Sequence, residues 1–472
     1  MGMVQTLGDF LDRLLNRRAK ELFGVKPVST VELNDYLDRC TKAYRGDPDW
    51  LNDDDGVVTI NFAQTVAAEV ALLTTMNAEI TLTGSPRAEW LQEQVNTILA
   101  ALRQWCEYGC AYGTAIIKPY GDGVELVLPD RFRIVANDGG KITGVVFIDR
   151  RHDPASDRWF SRLEYHRIED GIYTVSNRYF QGVSEKDEGR QVAMEVTPWV
   201  DDAIADDATI EGADRLLFGI FRTPAANNKE PGSPMGLPVF ATALEELKDL
   251  DVAYSRNAEE ITDSKRMVLL DTDRLFATGQ NPPPAGKRRE AAIQSNGFPK
   301  FVKAVEGMGS MEREVYHEIN PSLETDKRLT GINALLSQIG FKCGFSNGYF
   351  VFNEKTGMVT ATQVESDDRR TLQMVNDMRK ALKSCLADTI TALNWFADAY
   401  GLAPKGAYEI AYDFADLTLN EEEDKARWWG YVVQGKVPAW VYFAKFEGYT
   451  EEEAKALVAA ADTEDPDLAP EE

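Results

Sequence analysis

Long hydrophobic runs are missing from this sequence. Its 472 residues contain no stretch of eighteen or more uninterrupted apolar residues, whereas a membrane-spanning helix needs about 20. The first residues alternate charged side chains with leucines and lack the apolar block and cleavage site of a secretion signal. We therefore expect neither a membrane segment nor secretion.

Cysteine and histidine are also scarce. The five cysteines are odd in number and scattered, which is unlike a secreted disulfide framework and typical of reduced intracellular thiols. The three histidines, His152, His166 and His317, lie in no serine-hydrolase or HExxH motif, and a phosphate-binding GxxxxGK[ST] loop is absent. The sequence thus predicts no cofactor and no catalytic residue.

Basic side chains are too few to balance the acids. Lys and Arg number 51 against 77 Asp and Glu, so the formal net charge is −26. A protein that holds DNA tightly needs a basic surface that neutralises phosphates, and stable gripping of DNA is therefore disfavoured. The charge fits a surface past which DNA slides, but composition alone favours the simpler reading, an acidic soluble protein.

Acidic residues cluster in two places where a divalent cation could bind. Asp53, Asp54 and Asp55 lack the alternate spacing of a calcium loop, and Asp271 and Asp273 lie two apart at a strand end. A solvated turn and a solvated strand edge explain these groups more simply. An acidic metal-dependent hydrolase remains an alternative function, without assigned metal ligands.

Hydrophobic spacing predicts an α+β chain. Helical patterns fill about the first 110 residues, with a capping box at Ser29 and Glu32, and short strands separated by GDG, NDGG and EDG turns follow between Thr114 and Phe180. Later helical patterns at 237–265 and 322–339 enclose an irregular β segment. A third pattern spans 362–400, and short helices follow it, one of them opened by a capping box at Thr450 and Glu453.

Five segments between Asn61 and Tyr400 follow one another in a characteristic order. They are NFAQTVAAEVALLTTMNAEITL (61–82), GCAYGTAIIKPYGDGVELVLPDRFRIV (109–135), SRLEYHRIEDGIYTVSNRYF (161–180), FRTPAANNKEPGSPMGLPVFATALEELKDLDVAYSRNAEEI (221–261) and GMVTATQVESDDRR (357–370). In this order the chain resembles the portal proteins of tailed double-stranded DNA bacteriophages of the siphophage type. Gln363 and Val359 depart from the glutamate and lysine that this family often has there.

The resemblance implies a phage portal fold and its division of the chain. The expected parts are an α/β wing (1–236), a first long stem helix (237–265), a small β-containing clip (266–320), a second stem helix (321–341), a tunnel-loop region (342–361), a long wing helix with a return strand (362–415), an α-helical crown (416–461) and a disordered acidic tail (462–472).

The function implied by this resemblance is that of a DNA conduit without catalysis. The chain would form a ring with itself, usually of twelve subunits, at one vertex of the capsid in the virion, after assembly in the host cytoplasm. Double-stranded DNA would pass through without sequence specificity. Terminase and then a head-completion or adaptor protein would dock on the clip, and major capsid and scaffolding proteins would be further partners. Another ring component of the head-to-tail connector is an alternative.

Candidate site residues follow from this map. The first stem helix carries many acids and few bases, so its exposed face would repel phosphate and let DNA slide. The candidate residues for the DNA tunnel are Glu245, Glu246, Asp249, Glu259, Glu260, Lys342, Asn353, Glu354 and Lys355. Asp251 and Asp263 belong to the same acidic face in this hypothesis. The candidate docking residues in the clip are Lys287, Arg288 and Arg289.

Overall fold

A computed structural model describes most of the chain: residues 7–51, 56–120, 123–200, 205–263, 267–271, 284, 287, 302–305, 316–319, 324–351, 361–414 and 421–463. The chain forms two compact units, Met1–Thr75 with Glu79–Tyr412 and Met76–Ala78 with Asp413–Glu472. Helices and sheets are both extensive, which confirms the α+β class. Within the described ranges, no helix is long and apolar enough to cross a membrane.

The described residues contain ten α-helices. They are α1 (Leu7–Phe23), α2 (Val31–Tyr44), α3 (Phe62–Thr75), α4 (Pro86–Tyr112), α5 (Leu244–Asp263), α6 (Thr325–Cys343), α7 (Ala361–Tyr400), α8 (Glu421–Val433), α9 (Ala439–Phe446) and α10 (Glu451–Thr463). Most lie where hydrophobic spacing predicts a helix, because one face of each pattern repeats every three or four residues.

Fourteen strands occur in the same described ranges. They are β1 (Glu79–Thr83), β2 (Thr114–Tyr120), β3 (Gly123–Val127), β4 (Phe132–Asp138), β5 (Lys141–Asp153), β6 (Arg158–Glu169), β7 (Ile172–Gly182), β8 (Arg190–Val192), β9 (Asp207–Glu211), β10 (Gly219–Arg222), β11 (Met267–Asp271), β12 (Val302–Val305), β13 (Tyr316–Ile319) and β14 (Glu409–Asp413). They form sheets ordered β1-β14, β10-β2-β3, β12-β11-β13 and β4-β5-β6-β7-β8, with β9 also paired to β7.

The largest sheet is the predicted antiparallel meander. Asp170 and Gly171 connect β6 to β7 with positive φ angles of 52° and 78°, as a two-residue hairpin turn with right-handed strand twist requires. Their EDG sequence predicts this turn. The strands extend beyond the predicted runs. Strands β5 and β6 pair along their length, from Gly144 opposite Arg167 to Asp153 opposite Arg158.

Helix α1 covers one face of this sheet. Leu14, Leu15 and Ala19 on α1 pack in a buried cluster with side chains of the sheet, including Leu163 and Phe180. Removing such side chains from water supplies most of the stabilisation of a layered α/β arrangement. The amphipathic stripe of the N-terminal residues thus finds its partner in strands that are more than 100 residues away in sequence.

Gly113 ends α4 where the chain passes close to a distant segment. Its φ is 77°, and its backbone N–H bonds to the carbonyl of Gly109. A Cβ atom at this position would lie 2.4 Å from the carbonyl oxygen of Gly236. Only glycine satisfies both the left-handed conformation and this close approach.

Two predicted capping boxes have different outcomes. At α10, Thr450 N–H donates to Glu453 and Glu453 N–H donates to the Thr450 hydroxyl, at 3.0 and 3.3 Å, which confirms the capping box. At α2 the prediction of Ser29 is wrong, because Thr30 is the cap and accepts from Leu33 N–H. The Thr30 backbone N–H donates to Glu230, 200 residues away, rather than to Glu32.

The segment expected to contain the stem and clip consists of two helices separated by three strands. Helix α5 begins at Leu244, after a short 3₁₀ turn at Ala241–Ala243, and therefore begins later than the predicted residue 237. Helix α6 ends at Cys343 rather than at 341. Between them, β11 pairs in parallel with β12 and antiparallel with β13.

Candidate functional site

Helix α5 is anchored to the N-terminal region through Asp251. This carboxylate is 3% exposed and accepts hydrogen bonds from the Trp50 indole at 2.9 Å and from the Ile60 backbone N–H at 3.0 Å. Ser255, one turn later, accepts from Val58 N–H at 2.9 Å. Placing Asp251 on the exposed acidic face is therefore wrong, because its charge is used to orient the helix.

Two ion pairs join α5 to α6. The Glu246 carboxylate accepts from Lys342 at 2.5 Å and from the side chain of Gln338 at 3.0 Å. Near the other ends of the helices, Glu260 pairs with the Arg328 guanidinium and accepts from the Glu324 backbone N–H. Early residues of α5 thus meet late residues of α6, and the two helices run antiparallel.

These pairs change the charge that the candidate residues present to solvent. Glu246 and Glu260 are only 15% and 18% exposed, and each faces a cation of α6. Lys342, also a candidate tunnel residue, is neutralised by Glu246. The structure therefore brings three of the predicted residues into contacts between the helices rather than onto an open surface.

The remaining candidates on α5 lie on its outer face. Glu245, Asp249 and Glu259 are exposed and share that face with exposed Lys248 and Arg256, since these positions recur at helical spacing. Three acids against two bases leave 3 − 2 = 1 net negative charge among these side chains. The outer face is thus weakly acidic and of mixed charge, whereas sequence analysis predicts a strongly acidic one.

The apolar stripe of α5 is only half buried. Leu244, Leu247 and Leu250 are at most 3% exposed, but Tyr254 and Ile261 are 42% and 53% exposed. The first half of the helix thus belongs to the core of its unit. The second half extends an apolar edge beyond it.

A packed turn follows α6. The Ser346 backbone N–H donates to the Thr371 hydroxyl at 2.9 Å, and the two buried hydroxyl oxygens lie 3.0 Å apart. Arg370 donates to the carbonyl of Phe341 and lies 3.8 Å from the centre of its ring. The first part of the predicted tunnel-loop region, 342–351, is therefore helix and anchored turn.

Several predicted site residues cannot be assigned a geometry. Asn353, Glu354 and Lys355 lie outside the described residues, as do Arg288 and Arg289 of the candidate docking site. Lys287 is described and exposed, and its backbone N–H donates to the carbonyl of Pro284. Asp53, Asp54, Asp55 and Asp273 are also outside the described residues. Where side chains are described, no group of three or more His, Cys, Asp or Glu could hold a metal ion.

A buried charged network joins β6 and β7 of the large sheet to β2 of the β10-β2-β3 sheet, and it has no signal in the sequence. Glu164 accepts from Lys118 at 2.5 Å and from Arg162 at 3.1 Å, and lies 2.6 Å from His166 Nε2. The other ring nitrogen of His166 lies 2.5 Å from the Tyr173 hydroxyl. Alternating strand positions bring these groups together, because Glu164 and His166 face the same side of β6.

Burial and charge act in opposite directions on this network. Burial opposes ionisation of Glu164, but Lys118, His166 and Arg162 together hold the pKa of its carboxyl well below the usual range. Burial lowers the pKa of His166, and the positive charges of Lys118 and Arg162 act in the same direction, against Glu164, which raises this pKa. Glu164 is therefore ionised and His166 neutral near pH 7.

The guanidinium of Arg87 is another functional element that the sequence does not reveal. Arg87 is 1% exposed and donates to the carbonyls of Pro404, Ala403 and Asn394 at 2.8 to 2.9 Å. It also donates to the side chains of Asn394 and Asp398, at 3.0 and 2.6 Å. All five of its N–H groups are thus used to hold the C-terminal end of α7 against the start of α4.

Comparisons with known proteins add two similarities. The chain is similar to a chain in a solved structure described as the neck of an empty GTA particle computed with C6 symmetry. That similarity has a TM-score of 0.41 and 11% sequence identity, over 89% of this chain and 94% of the other. A segment of 107 residues is 28% identical to lysophospholipase NTE1 of Eremothecium gossypii; it is 22% of this chain but 7% of that protein. No family model matches the chain. These similarities assign neither a family nor an activity.

Proposed function

We propose that this chain is a portal subunit, which forms a ring at one capsid vertex and lets double-stranded DNA pass during packaging and ejection. The observation that carries the proposal is the antiparallel pair of α5 and α6 with the strands β11, β12 and β13 inserted between them. This is the order of stem, clip and stem that the sequence resemblance implies. The proposed function includes no catalysis.

The charges of the helix pair support a conduit that does not hold DNA. A protein that pairs many phosphates with Lys and Arg releases counterions and binds DNA tightly. Here Glu246 and Glu260 neutralise Lys342 and Arg328 within the chain, and the whole chain carries a net charge of −26. Two of the five cations of these helices are thus paired with acids of the other helix. The assignment of residues to the wall of the tunnel is also part of the proposal.

The finer parts of the proposal concern partners. Terminase would dock on the β11–β13 segment during packaging, and a head-completion or adaptor protein would replace it afterwards. Scaffolding and major capsid proteins would contact the ring at the capsid vertex. A ring of twelve copies is the expected state in the virion.

Electron microscopy of the purified full chain tests the proposal. Negative-stain images over a range of protein and salt concentrations should show rings with a central hole, and class averages give the number of subunits. Compact particles without a hole under every condition would overturn the portal assignment. Rings that fail to support DNA packaging in an assay with the cognate terminase would instead indicate another ring component of the connector.

A further inference from the structure

Helices α8, α9 and α10 bury little of their aromatic content. Eight aromatic side chains lie between Trp428 and Tyr449, yet Ala454 is the one buried side chain among those described in these helices. Trp429 and Val433 are 45% and 73% exposed, and Leu457 is 40% exposed. Exposed apolar side chains that line up along a helix are candidates for contact with another surface.

Helix α9 lies between the other two helices. Trp428 and Trp429 of α8 contact aromatic rings of α9, with 6.1 Å between the ring centres of Trp428 and Phe446 and 5.1 Å between those of Trp429 and Tyr442. On its other side, the Lys455 ammonium of α10 lies 4.5 Å from the ring centre of Trp440 in α9. Among the described residues, α9 thus lies between α8 and α10, and each of these two helices has a side that α9 does not cover.

Each flanking helix carries an exposed stripe. On α8 the stripe consists of Ala426, Trp429 and Val433, and we call it the α8 stripe. On α10 it consists of Glu453, Ala456 and Leu457, and we call it the α10 stripe. Residues three, four or seven apart lie on the same face of a helix, so each stripe is one continuous strip of side chains.

The two stripes differ in charge. The α8 stripe ends beside exposed Lys436, whereas the α10 stripe contains the carboxylate of Glu453. Contact between two α8 stripes or between two α10 stripes would offer Lys436 or Glu453 no residue of opposite charge within the stripes. Contact between the two kinds would bring Lys436 toward Glu453 and cover Val433 with Leu457. A contact between two different surfaces of identical chains repeats head to tail and can close into a ring.

We propose that the α8 stripe of one copy packs against the α10 stripe of the next copy. The occupant of both surfaces is thus a second copy of this chain. This inference rests on the proposed ring and names the surfaces that join its subunits through this unit. If the copies formed a ring through other surfaces alone, this inference would be wrong and the proposed ring would still be correct.

Disulfide cross-linking between two single variants of the full chain tests the contact. The five native cysteines are buried, so Val433→Cys and Leu457→Cys each add one accessible thiol. Oxidation of an equal mixture should give a covalent dimer that neither variant forms alone. As the matched control, exposed Glu451→Cys lies on α10 but at least about 120° around the helix from every residue of the α10 stripe, and its mixture with Val433→Cys should give no dimer.

A second measurement tests the same contact if the two introduced thiols are too far apart to form a disulfide. Val433→Glu and Leu457→Glu should each weaken assembly at least about tenfold, measured by sedimentation, because each would bury an unpaired charge. Gln434→Glu adds the same charge beside the α8 stripe and should assemble normally. A dimer from Val433→Cys alone would overturn the proposal in favour of a two-fold contact. The proposal would also be overturned if both Glu variants formed normal rings and the mixture of Val433→Cys with Leu457→Cys formed no covalent dimer. Absence of rings in the wild-type chain would instead refute the proposed function.

Discussion

Buried arginines fasten helix ends in this protein. Arg87 fixes the C-terminal end of α7, and Arg379 donates to the carbonyls of Leu73 and Thr74 at 3.2 Å, at the end of α3. The last carbonyls of a helix have no partners within it, and they carry partial negative charge. A guanidinium satisfies several of them at once, which a lysine cannot do in a fixed plane.

Replacing Arg87 should destabilise the first unit strongly. Arg87→Ala would leave three carbonyls and Asp398 without their donor, so we expect a loss of about 3–5 kcal/mol in the free energy of unfolding. Arg87→Lys should recover only part of this loss. Urea denaturation followed by circular dichroism measures both. Arg103→Ala, an exposed change on the same helix, should stay within about 0.5 kcal/mol of wild type; an equal loss in the two alanine variants would contradict this role.

The Glu164 network predicts a pH-dependent stability. His166 stays neutral in the fold because its pKa is lowered, whereas the unfolded chain takes up a proton near pH 6.5. The unfolded state then binds more protons, so stability falls as the pH drops below about 6.5, by at most about 1.4 kcal/mol per pH unit. The low pKa of Glu164 adds a further loss at lower pH, below about 4.5.

The histidine part of this loss can be measured by itself. His166→Gln should flatten the dependence of the urea midpoint on pH between about pH 5 and pH 7, because glutamine does not titrate. His152→Gln is the control, since His152 lies on the same sheet but is 37% exposed. An unchanged slope in His166→Gln would show that another group causes the loss.

At the scale of elements, local chemistry predicts where helices and turns lie, but not how they pair. The EDG turn and the Thr450–Glu453 box are correct because each is decided within four residues. The pairing of β10 with β2, Gly219 against Ile117, joins segments about 100 residues apart and leaves no local signal. The N-cap of α2 is missed for the same reason, because Glu230 binds the Thr30 backbone N–H from a distant loop.

The candidate site shows the same limit on single side chains. Glu245 and Glu246 are neighbours, as are Glu259 and Glu260, and sequence analysis treats each pair alike. In the structure the second acid of each pair faces α6, and the first is exposed. Which acid turns inward depends on the rotation of α5 against a helix that lies about 80 residues later in the chain.

Removing inward and outward acids of α5 should therefore have different effects. Glu246→Gln and Glu260→Gln should each lower the free energy of unfolding by about 1–3 kcal/mol, because each leaves a partly buried cation without its charged partner. Glu245→Gln and Glu259→Gln should change it by less than about 1 kcal/mol. Urea denaturation of the four variants gives the comparison. Equal losses at all four positions would show that the α5–α6 ion pairs do not join the helices.

At the scale of the whole molecule, the structure favours a shorter deletion within 342–361 for a test of DNA packaging. Deleting all of 342–361 would take away Phe345, which is fully buried, and the hydroxyl of Ser346 that meets Thr371. Such a deletion would unfold the anchored turn. Deleting 352–360 alone leaves this anchor intact and removes Asn353, Glu354 and Lys355.

We expect the 352–360 deletion variant to assemble into rings but to package DNA at least about tenfold more slowly. Such a change corresponds to an increase of about 1.4 kcal/mol in the activation free energy of the slow step. Electron microscopy measures assembly, and protection of DNA from nuclease measures packaging. The Asn347→Ala variant changes an exposed side chain of the anchored turn; it is the control and should assemble and package normally. Failure of the deletion variant to form rings would assign this segment to assembly instead of to DNA passage.

Helix α7 is supported at several points along its length, like a beam on separate supports. Its 40 residues extend about 60 Å, and contacts hold it at Thr371 near its start, at Arg379 near its middle and, through Arg87, near its C-terminal end. A sideways push on its first turn would pivot the helix about the contact at Thr371 and load the contact at Arg379, which lies eight residues further along. If the chain has the proposed portal function, DNA passage is the process that would load these supports. Single-molecule stalling forces of Arg379 variants would measure how much of that load the contact at Arg379 carries.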